Sequence, residues 1–288
     1  MSQLPIVLAH GYLGFGTLGP FEYFKDVQET LVSLGAQKVY AISVPPKGSL
    51  AERSASLAEQ IRASVPSGKV HLIAHSMGGL DARYLIGKGN GSDLVASFTT
   101  LGTPFRGTFF ADVGVNPLLL QSVGPLKLAE AVASLGLGSV TQVPNTIKTQ
   151  FEFAASVLRE GFGRAATSDY SGFASYFKSI LSLNDQAIPE LTTDNCRRLF
   201  PDDESDLKGI PSSSYAGSLD PAKVSPFLKV SAILLEASGD PNDGLVAVRA
   251  ATLKDHLGTL PFDHLGLIGW TAPEVLRTYG DIYQRLTN

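Results

Sequence analysis

Short apolar runs alternate with amphipathic stretches along the first hundred residues of the chain. The apolar runs predict buried strands at 4–9, 39–44, 69–74 and 98–102. The amphipathic stretches predict helices at 21–34, 50–64 and 77–86. A further strand is predicted at 230–236 and a last helix at about 273–286. Strands that alternate with helices predict an α/β fold, in which helices cover both faces of a mostly parallel sheet.

The middle of the chain, at about 105–215, has a different pattern. Apolar residues recur there at helical spacing in three successive stretches, which include Leu128, Phe151 and Phe177. No clear strand interrupts them, so we predict a helical insertion, called the cap below, within a single domain of residues 1–288. The cap is either a fixed layer over the sheet or, in part, a mobile lid over an active site.

Composition and charge exclude several classes of protein. The chain has 288 residues, of which 44% are hydrophobic and 17% charged, as is typical of a globular protein rather than a disordered one. A net charge of −4 provides no basic excess for binding nucleic acid. The single cysteine, Cys196, forms neither an internal disulfide nor a thiolate cluster.

The sequence is compatible with more than one cellular location. No apolar run approaches the ~20 residues of a membrane span. We interpret the first residues as mature protein, because the apolar start has no basic region before it and is interrupted by glycines. A secreted and a cytoplasmic protein would both fit these observations.

The segment Ala74-His75-Ser76-Met77-Gly78-Gly79 lies between a predicted strand and a predicted helix. It matches the nucleophile-elbow pattern G-x-S-x-G, with alanine in the first glycine position. In such an elbow a sharp turn raises the serine Oγ above the carboxyl edge of the sheet, where the N–H groups of the helix face it. Ser76 is therefore the predicted nucleophile, and the ring of His75 is expected to point away.

A nucleophilic serine needs a histidine base and a carboxylate that orients this base. His264 and His256 both come late in the chain, as the order serine, acid, histidine requires. We favour His264, in a short loop before the last helix, over His256, whose charged neighbours are typical of the surface. Asp243, in an Asn-Asp-Gly turn, is the favoured carboxylate. Its competitors are Glu236, Asp240 and Asp255.

The negative charge that develops during acyl transfer needs two preorganised N–H donors, which form an oxyanion hole. The backbone N–H of Met77, at the start of the predicted helix, is one. The other is expected from the loop that follows the first strand, where the N–H of Tyr12 is the natural donor. No G-x-G-x-x-G or Walker motif opens a helix here, which argues against a nucleotide site.

Together these motifs resemble the bacterial true lipases, and most closely the triacylglycerol lipases of Pseudomonas, Burkholderia and Proteus. The matching segments occur in the same order, at 9–15, 74–84, 102–108, 218–221, 242–246 and 263–265. The resemblance implies an α/β-hydrolase fold with a helical lid that opens at a lipid–water interface. It also implies a triad of Ser76, Asp243 and His264, an oxyanion hole at Tyr12 and Met77, and acylglycerols as ester substrates.

The chain departs from this family at its structural calcium site. Asp220 matches the first carboxylate ligand, whereas Gly266 and Trp270 stand where the family has a second carboxylate and a glutamine. Calcium prefers about six to eight oxygen ligands that include carboxylates. We therefore expect that no calcium, and no other cofactor, is required.

Three functions remain to be distinguished. The leading hypothesis is a serine ester hydrolase that cleaves long-chain acylglycerols through an acyl-enzyme. The nearest alternative is a carboxylesterase that acts on short soluble esters. A lipid-binding protein without catalysis is the most distant alternative, and it would be expected to lack a member of the triad.

Overall fold

The computed structural model describes residues 4–14, 17–18, 21–123, 129, 185–225, 228–236 and 239–287. Within these ranges the strands are β1 (Ile6–Ala9), β2 (Thr17–Leu18), β3 (Phe21–Glu22), β4 (Val39–Ile42), β5 (Val70–His75), β6 (Val95–Leu101), β7 (Ser212–Gly217) and β8 (His256–Leu260). The α-helices are α1 (Val27–Ser33), α2 (Leu50–Ser64), α3 (Met77–Gly87), α4 (Phe109–Val115), α5 (Ala187–Glu190), α6 (Thr193–Leu199), α7 (Lys229–Glu236) and α8 (Leu276–Thr287). Short 3-10 helices lie at Pro117–Ser122, Ser205–Leu207, Val248–Ala250, Gly266–Ile268 and Pro273–Val275.

Six strands form one parallel sheet, in the order β4-β1-β5-β6-β7-β8. β2 and β3 form a separate antiparallel pair. The register pairs Ala9, the last residue of β1, with Ala74 near the end of β5. Because parallel strands end at the same edge of a sheet, the loops that follow β1 and β5 lie side by side. The predicted α/β class is confirmed.

The sheet divides the core into two layers. Val7 and Ala9 of β1 pack with α2 and α3, whereas Ile6 and Leu8 pack with α1 and α8. This division follows from the two-residue period of a strand. Complete burial of an aliphatic side chain, such as that of Leu57 in α2, contributes roughly 1.5–3 kcal/mol. Burial on both faces explains why the central strands are almost continuously apolar.

The predicted strand at 230–236 is wrong, because this segment is the helix α7. Four successive apolar side chains, from Ala232 to Leu235, are buried, so the helix shows no polar stripe. The hydroxyl of Ser231 donates to the carbonyl of Leu228, directly before the helix, so its buried polar group is paired locally. A short apolar run that is buried on all sides has the same pattern in a strand and in a helix.

Two strands of the sheet have no clear apolar signal in the sequence. β7 is rich in serine and begins at Ser212, inside the range predicted for the cap. The hydroxyl of Ser213 pairs with that of Thr99 at 3.3 Å, and the hydroxyl of Ser214 accepts from the N–H of Leu253 at 2.9 Å. These bonds satisfy the polar side chains inside the sheet. β8, which begins at His256, was likewise not predicted.

The described ends of the cap are helical, in α4 before the gap and in α5 and α6 after it. The apolar stripes that include Leu128, Phe151 and Phe177 lie outside the described residues, so their arrangement stays a prediction. At the start of the chain, α1 begins at Val27 rather than near residue 21, because Phe21–Glu22 forms β3. None of the described helices combines the length and the apolarity needed to cross a membrane.

Candidate active site

Ser76 forms the turn between β5 and α3. Its backbone has φ 55° and ψ −133°, a conformation that costs a residue other than glycine about 1–3 kcal/mol. The turn is held on both sides, since the N–H of Ser76 donates to the carbonyl of Leu101 and its carbonyl accepts from the N–H of Gly79. The half-buried Ser76 therefore has the strained strand–turn–helix geometry that the elbow motif predicts.

Two glycines bring the loop after β1 against this turn. A Cβ atom at Gly11 would lie 2.7 Å from the Cβ and 3.1 Å from the Oγ of Ser76. A Cβ atom at Gly78 would lie 2.4 Å from the carbonyl oxygen of Ala9. Both separations are too short for a side chain, so the loop after β1 passes directly beside the serine only because these positions are glycine.

Asp243 and His264 form a buried hydrogen-bonded pair. The Nδ1 atom of His264 lies 2.7 Å from Oδ2 of Asp243, and both residues are almost inaccessible. Since an ionised carboxylate only accepts, Nδ1 donates and Nε2 is left with its lone pair. The other carboxylate oxygen accepts from the N–H groups of Leu245 and Val246 at 2.9 and 2.8 Å, which orients Asp243 toward the histidine.

His75, the residue before Ser76, connects the Asp243–His264 pair to the turn at Ser76. The ring of His75 lies with its centroid 4.5 Å from that of His264. The Nε2 atom of His75 donates to the carbonyl of His264 at 3.0 Å. Because His75 directly precedes Ser76, this contact brings the loop of His264 to the nucleophile turn. The ring of His75 is completely buried beneath the turn.

The competing residues lie elsewhere. His256 stands at the start of β8, where its ring contacts the hydroxyls of Ser214 and Thr259 at 3.2 and 3.3 Å. Asp240 pairs with Arg249 and Asp255 with Arg285, while Glu236 is exposed at the end of α7. Of the four carboxylates considered, the structure brings Asp243 to His264.

Arg53 in α2 organises the loop that carries Tyr12, and the sequence analysis missed it. Its guanidinium is completely buried and donates to the carbonyls of His10 and Gly11 at 3.0 and 3.2 Å. In a planar trans peptide the C=O and the following N–H point in opposite directions. The carbonyl of Gly11 faces Arg53, so the N–H of Tyr12 faces away from it. The sequence does contain a signal for this role, because Arg53 is a charged residue on the apolar face of the predicted helix at 50–64.

A buried carboxylate and a buried histidine complete the support of this loop. Asp81 in α3 accepts three bonds of 2.7–3.0 Å from Arg53. His10 donates from Nδ1 to the carbonyl of Gly11 and accepts from the N–H of Val44 at 3.0 Å. Burial, with the positive charge of Arg53, lowers the pKa of His10 to about 3, so this ring is neutral. The neutral His10 ring and the Arg53 guanidinium therefore support the loop, while burial raises the pKa of Asp81 to about 6.

The side chain of Tyr12 points to Asp185, the first residue of the cap that is described after the gap. Its hydroxyl donates to Asp185, whose carboxylate also lies 3.7 Å from the ammonium of Lys47. Burial and the negative charge of Asp185 raise the pKa of Tyr12 above its ordinary value. The first residues described after the gap are therefore attached to the loop beside Ser76.

Asp220, Gly266 and Trp270, which align with the calcium ligands of the true lipases, make hydrogen bonds within this chain. Asp220 accepts from the N–H of Ala222, and the indole N–H of Trp270 donates to the carbonyl of Tyr23. The backbone N–H of Gly266 donates to Asp263 at 2.8 Å. In the part of the chain that the structure describes, no three or more histidine, cysteine or acidic side chains are grouped to hold a metal ion. Gly266 and Trp270 have no side-chain oxygen that could bind a calcium ion.

Asp263, next to His264, is a second residue that the sequence analysis missed. Its buried carboxylate accepts from the N–H and the hydroxyl of Ser225, from the N–H of Gly266 and from the hydroxyl of Thr271. These bonds tie the loop of His264 to the segment before α7 and to the segment before α8. They hold this loop through hydrogen bonds to three other residues.

Several known proteins that are similar to this chain are triacylglycerol lipases. No family model matches the chain. The triacylglycerol lipase of Vibrio cholerae is 31% identical over 266 residues, which cover 89% of this chain and 75% of that protein. The triacylglycerol lipase of Burkholderia plantarii is 37% identical over 131 residues, or 43% of this chain and 36% of that protein.

A solved structure shows that the fold is shared over nearly the whole chain. The lipase of Staphylococcus hyicus superposes with a TM-score of 0.64 at 18% identity, covering 99% of this chain and 95% of that one. The sheet and its flanking helices are those of the α/β-hydrolase lipases. Given this fold and the identity to the Vibrio lipase, the chain belongs to the triacylglycerol lipase family and is a serine ester hydrolase.

Proposed function

We propose that the protein hydrolyses the carboxylic esters of long-chain acylglycerols, with Ser76, His264 and Asp243 as its catalytic triad. The observation that carries this proposal is the buried Asp243–His264 pair, which contacts His75, the residue before a serine held in an elbow turn. We further propose that the protein belongs to the branch of the Pseudomonas, Burkholderia and Proteus lipases. The short alignment with the Burkholderia lipase supports this narrower placement.

The first half of the reaction forms an acyl-enzyme. Nε2 of His264 removes the proton from Ser76 while Oγ attacks the ester carbonyl, and Asp243 stabilises the imidazolium that results. The tetrahedral intermediate then collapses, the bond to the glycerol oxygen breaks, and His264 gives its proton to the departing alcohol. In the second half, His264 takes a proton from the water that attacks the acyl-enzyme. The bond to Oγ then breaks, His264 returns the proton to Ser76, and the fatty acid is released.

The N–H groups of Tyr12 and Met77 are proposed to bind the oxyanion of each tetrahedral intermediate. Met77 is the first residue of α3, so its N–H is one of the unpaired donors at the positive end of a helix. The N–H of Tyr12 is aimed by the bonds from Arg53 to the preceding carbonyls. Loss of one such donor typically costs about 10²–10³ in rate, so the loop after β1 contributes substantially to catalysis.

The preferred acyl chain is tested with p-nitrophenyl esters from acetate to palmitate, and with emulsified triolein. We expect kcat/KM to rise with chain length and triolein to be hydrolysed, because a lipase must bind a long acyl chain in an apolar site. A Ser76→Ala sample serves as the blank for spontaneous hydrolysis. A preference for acetate together with no turnover of triolein would instead identify a carboxylesterase with the same triad.

We also propose that activity and stability are independent of calcium. The side chains at Gly266 and Trp270 provide no oxygen, and Asp263 already ties the loop of His264 by hydrogen bonds. After exhaustive treatment with EGTA we expect unchanged kcat and an unchanged melting temperature. The Asp220→Asn variant should behave in the same way with and without the chelator. A melting temperature that falls by several degrees in EGTA and recovers on addition of calcium would contradict the proposal.

A further inference from the structure

A chain of three hydrogen bonds runs beneath Ser76 from the loop of Tyr12 to the loop of His264. The N–H of Gly11 donates to the hydroxyl oxygen of Tyr23 at 3.1 Å. The Tyr23 hydroxyl lies 2.8 Å from Nδ1 of His75, and Nε2 of His75 lies 3.0 Å from the carbonyl oxygen of His264. We call Tyr23 and His75, with these three bonds, the bridge.

The direction of every bond in the bridge is determined by its ends. The carbonyl of His264 only accepts, so Nε2 of His75 carries the proton. Nδ1 of a neutral imidazole then accepts, which makes the Tyr23 hydroxyl its donor. The remaining lone pairs of that hydroxyl accept from the N–H of Gly11. Burial, together with the nearby His264, lowers the pKa of His75 well below its ordinary value, which keeps the ring neutral.

The bridge is braced by the loop that follows His264. The indole N–H of Trp270 donates to the backbone carbonyl of Tyr23 at 2.7 Å, and the N–H of Lys25 donates to the carbonyl of Ile268 at 3.0 Å. The ring of Tyr23 also lies against those of His10 and His75, with centroids 5.5 and 5.7 Å apart. Tyr23 is therefore held at its backbone and its ring, as well as at its hydroxyl.

We propose that Tyr23 and His75 are positioning residues that hold the oxyanion loop and the loop of His264 in one fixed arrangement. An acyl carbonyl must meet the Ser76 Oγ, the N–H of Tyr12 and Nε2 of His264 at once, and these groups come from three loops. The bridge contacts all three, because it begins at Gly11, passes through the neighbour of Ser76 and ends on His264. This inference rests on the catalytic roles proposed above.

Tyr23→Phe removes the bridge hydroxyl and leaves the ring in place. The N–H of Gly11 then has lost its acceptor and Nδ1 of His75 its donor, so the two loops are no longer joined. We expect kcat to fall by ~10–100-fold, since a displacement of about 1 Å costs up to about 10² in rate. KM should change little, because the groups that bind the acyl chain are untouched.

The measurement is kcat per active site, with the sites counted by titration with a fluorophosphonate. A variant that is only less stable has fewer titratable sites but an unchanged kcat at each of them. The matched control is Tyr279→Phe, which deletes a buried hydroxyl that donates to the carbonyl of Leu267 at 2.9 Å outside the bridge. The control should lose stability and keep its kcat per site.

Two substitutions at His75 separate the two ends of the bridge. The amide of His75→Gln reaches the position of Nε2 and keeps a donor for the carbonyl of His264, whereas the amide of His75→Asn reaches only the position of Nδ1 and keeps a partner for Tyr23. Each variant should lower kcat per site, since each removes one hydrogen bond of the bridge. Tyr23→Phe combined with His75→Gln should be little worse than the more impaired single variant, because residues that act as a unit are not additive.

The outcomes are decisive even if the His75 variants do not fold. The positioning role of Tyr23 and His75 would be refuted by an unchanged kcat per site in Tyr23→Phe. It would also be refuted by a double variant whose loss of kcat is the product of the two single losses. A fall in kcat that is confined to the bridge variants and absent in Tyr279→Phe supports it. Labelling of wild-type Ser76 by the fluorophosphonate tests the proposed function separately, so its failure is not confused with failure of the bridge.

Discussion

Replacement of Ser76 by alanine is expected to lower kcat for ester hydrolysis by ~10³-fold or more while leaving the fold intact. Without Oγ there is no nucleophile, and His264 and Asp243 cannot form the acyl-enzyme by themselves. The substitution removes one atom from a half-buried turn and introduces no bulk beside Gly11. The measurement is kcat for p-nitrophenyl butyrate, with circular dichroism and the melting temperature as checks of folding.

The matched control is Ser214→Ala, because Ser214 also contacts a histidine, His256, at 3.2 Å. Ser214 is completely buried inside the sheet, where no ester reaches it. Its loss leaves the N–H of Leu253 without its acceptor and should cost about 1–3 kcal/mol of stability, with activity per folded molecule retained. If Ser76→Ala kept activity close to that of the wild type with unchanged circular dichroism, Ser76 would not be the nucleophile.

Substitution of the two late histidines should have opposite results. His264→Ala is expected to lower kcat by ~10³-fold or more, since members of a triad act as a unit. His256→Ala is expected to retain most activity, because its ring contacts only Ser214 and Thr259. The measurement is kcat for the same ester, normalised to the folded fraction of each variant.

The folding check matters because His264→Ala leaves a carboxylate oxygen of the buried Asp243 without its donor. This costs about 1–3 kcal/mol of stability and lowers the melting temperature. The double variant Asp243→Asn with His264→Ala removes the unpaired charge and keeps an acceptor oxygen for the N–H groups of Leu245 and Val246, so it should regain part of that stability with no recovery of activity. An active His264→Ala and an inactive His256→Ala would move the base to β8 and refute the proposed triad.

Local signals in the sequence were sufficient for the nucleophile turn and for the fold class. The strand, the turn at Ser76 and the start of α3 lie within about twenty consecutive residues, and the small neighbours that the turn needs are adjacent to it. The alternation of apolar runs and amphipathic stretches predicted the parallel sheet because both faces of its strands are buried. α2, predicted at 50–64, has these bounds in the structure, since Ser49 and Glu52 form a capping box at its start.

Elements whose burial differs from the usual pattern were missed or misassigned. The middle of α7, from Ala232 to Leu235, is a continuous buried apolar run, so its sequence shows no helical period and predicts a strand. β7 contains buried serines, whose polarity conceals a strand although neighbouring groups satisfy their hydroxyls. In both segments the environment that explains the residues comes from parts of the chain distant in sequence.

The sequence by itself determined which residue types could perform the chemistry and in what order they occur. Only the tertiary structure decided which of them meet. Asp243 rather than Asp240 or Asp255 reaches His264, and Arg53 bonds to carbonyls more than forty positions earlier. His75 touches the carbonyl of His264 across 189 positions of sequence. Such contacts follow from the order of strands in the sheet, which brings loops from distant segments to one edge, and no local pattern of residues encodes that order.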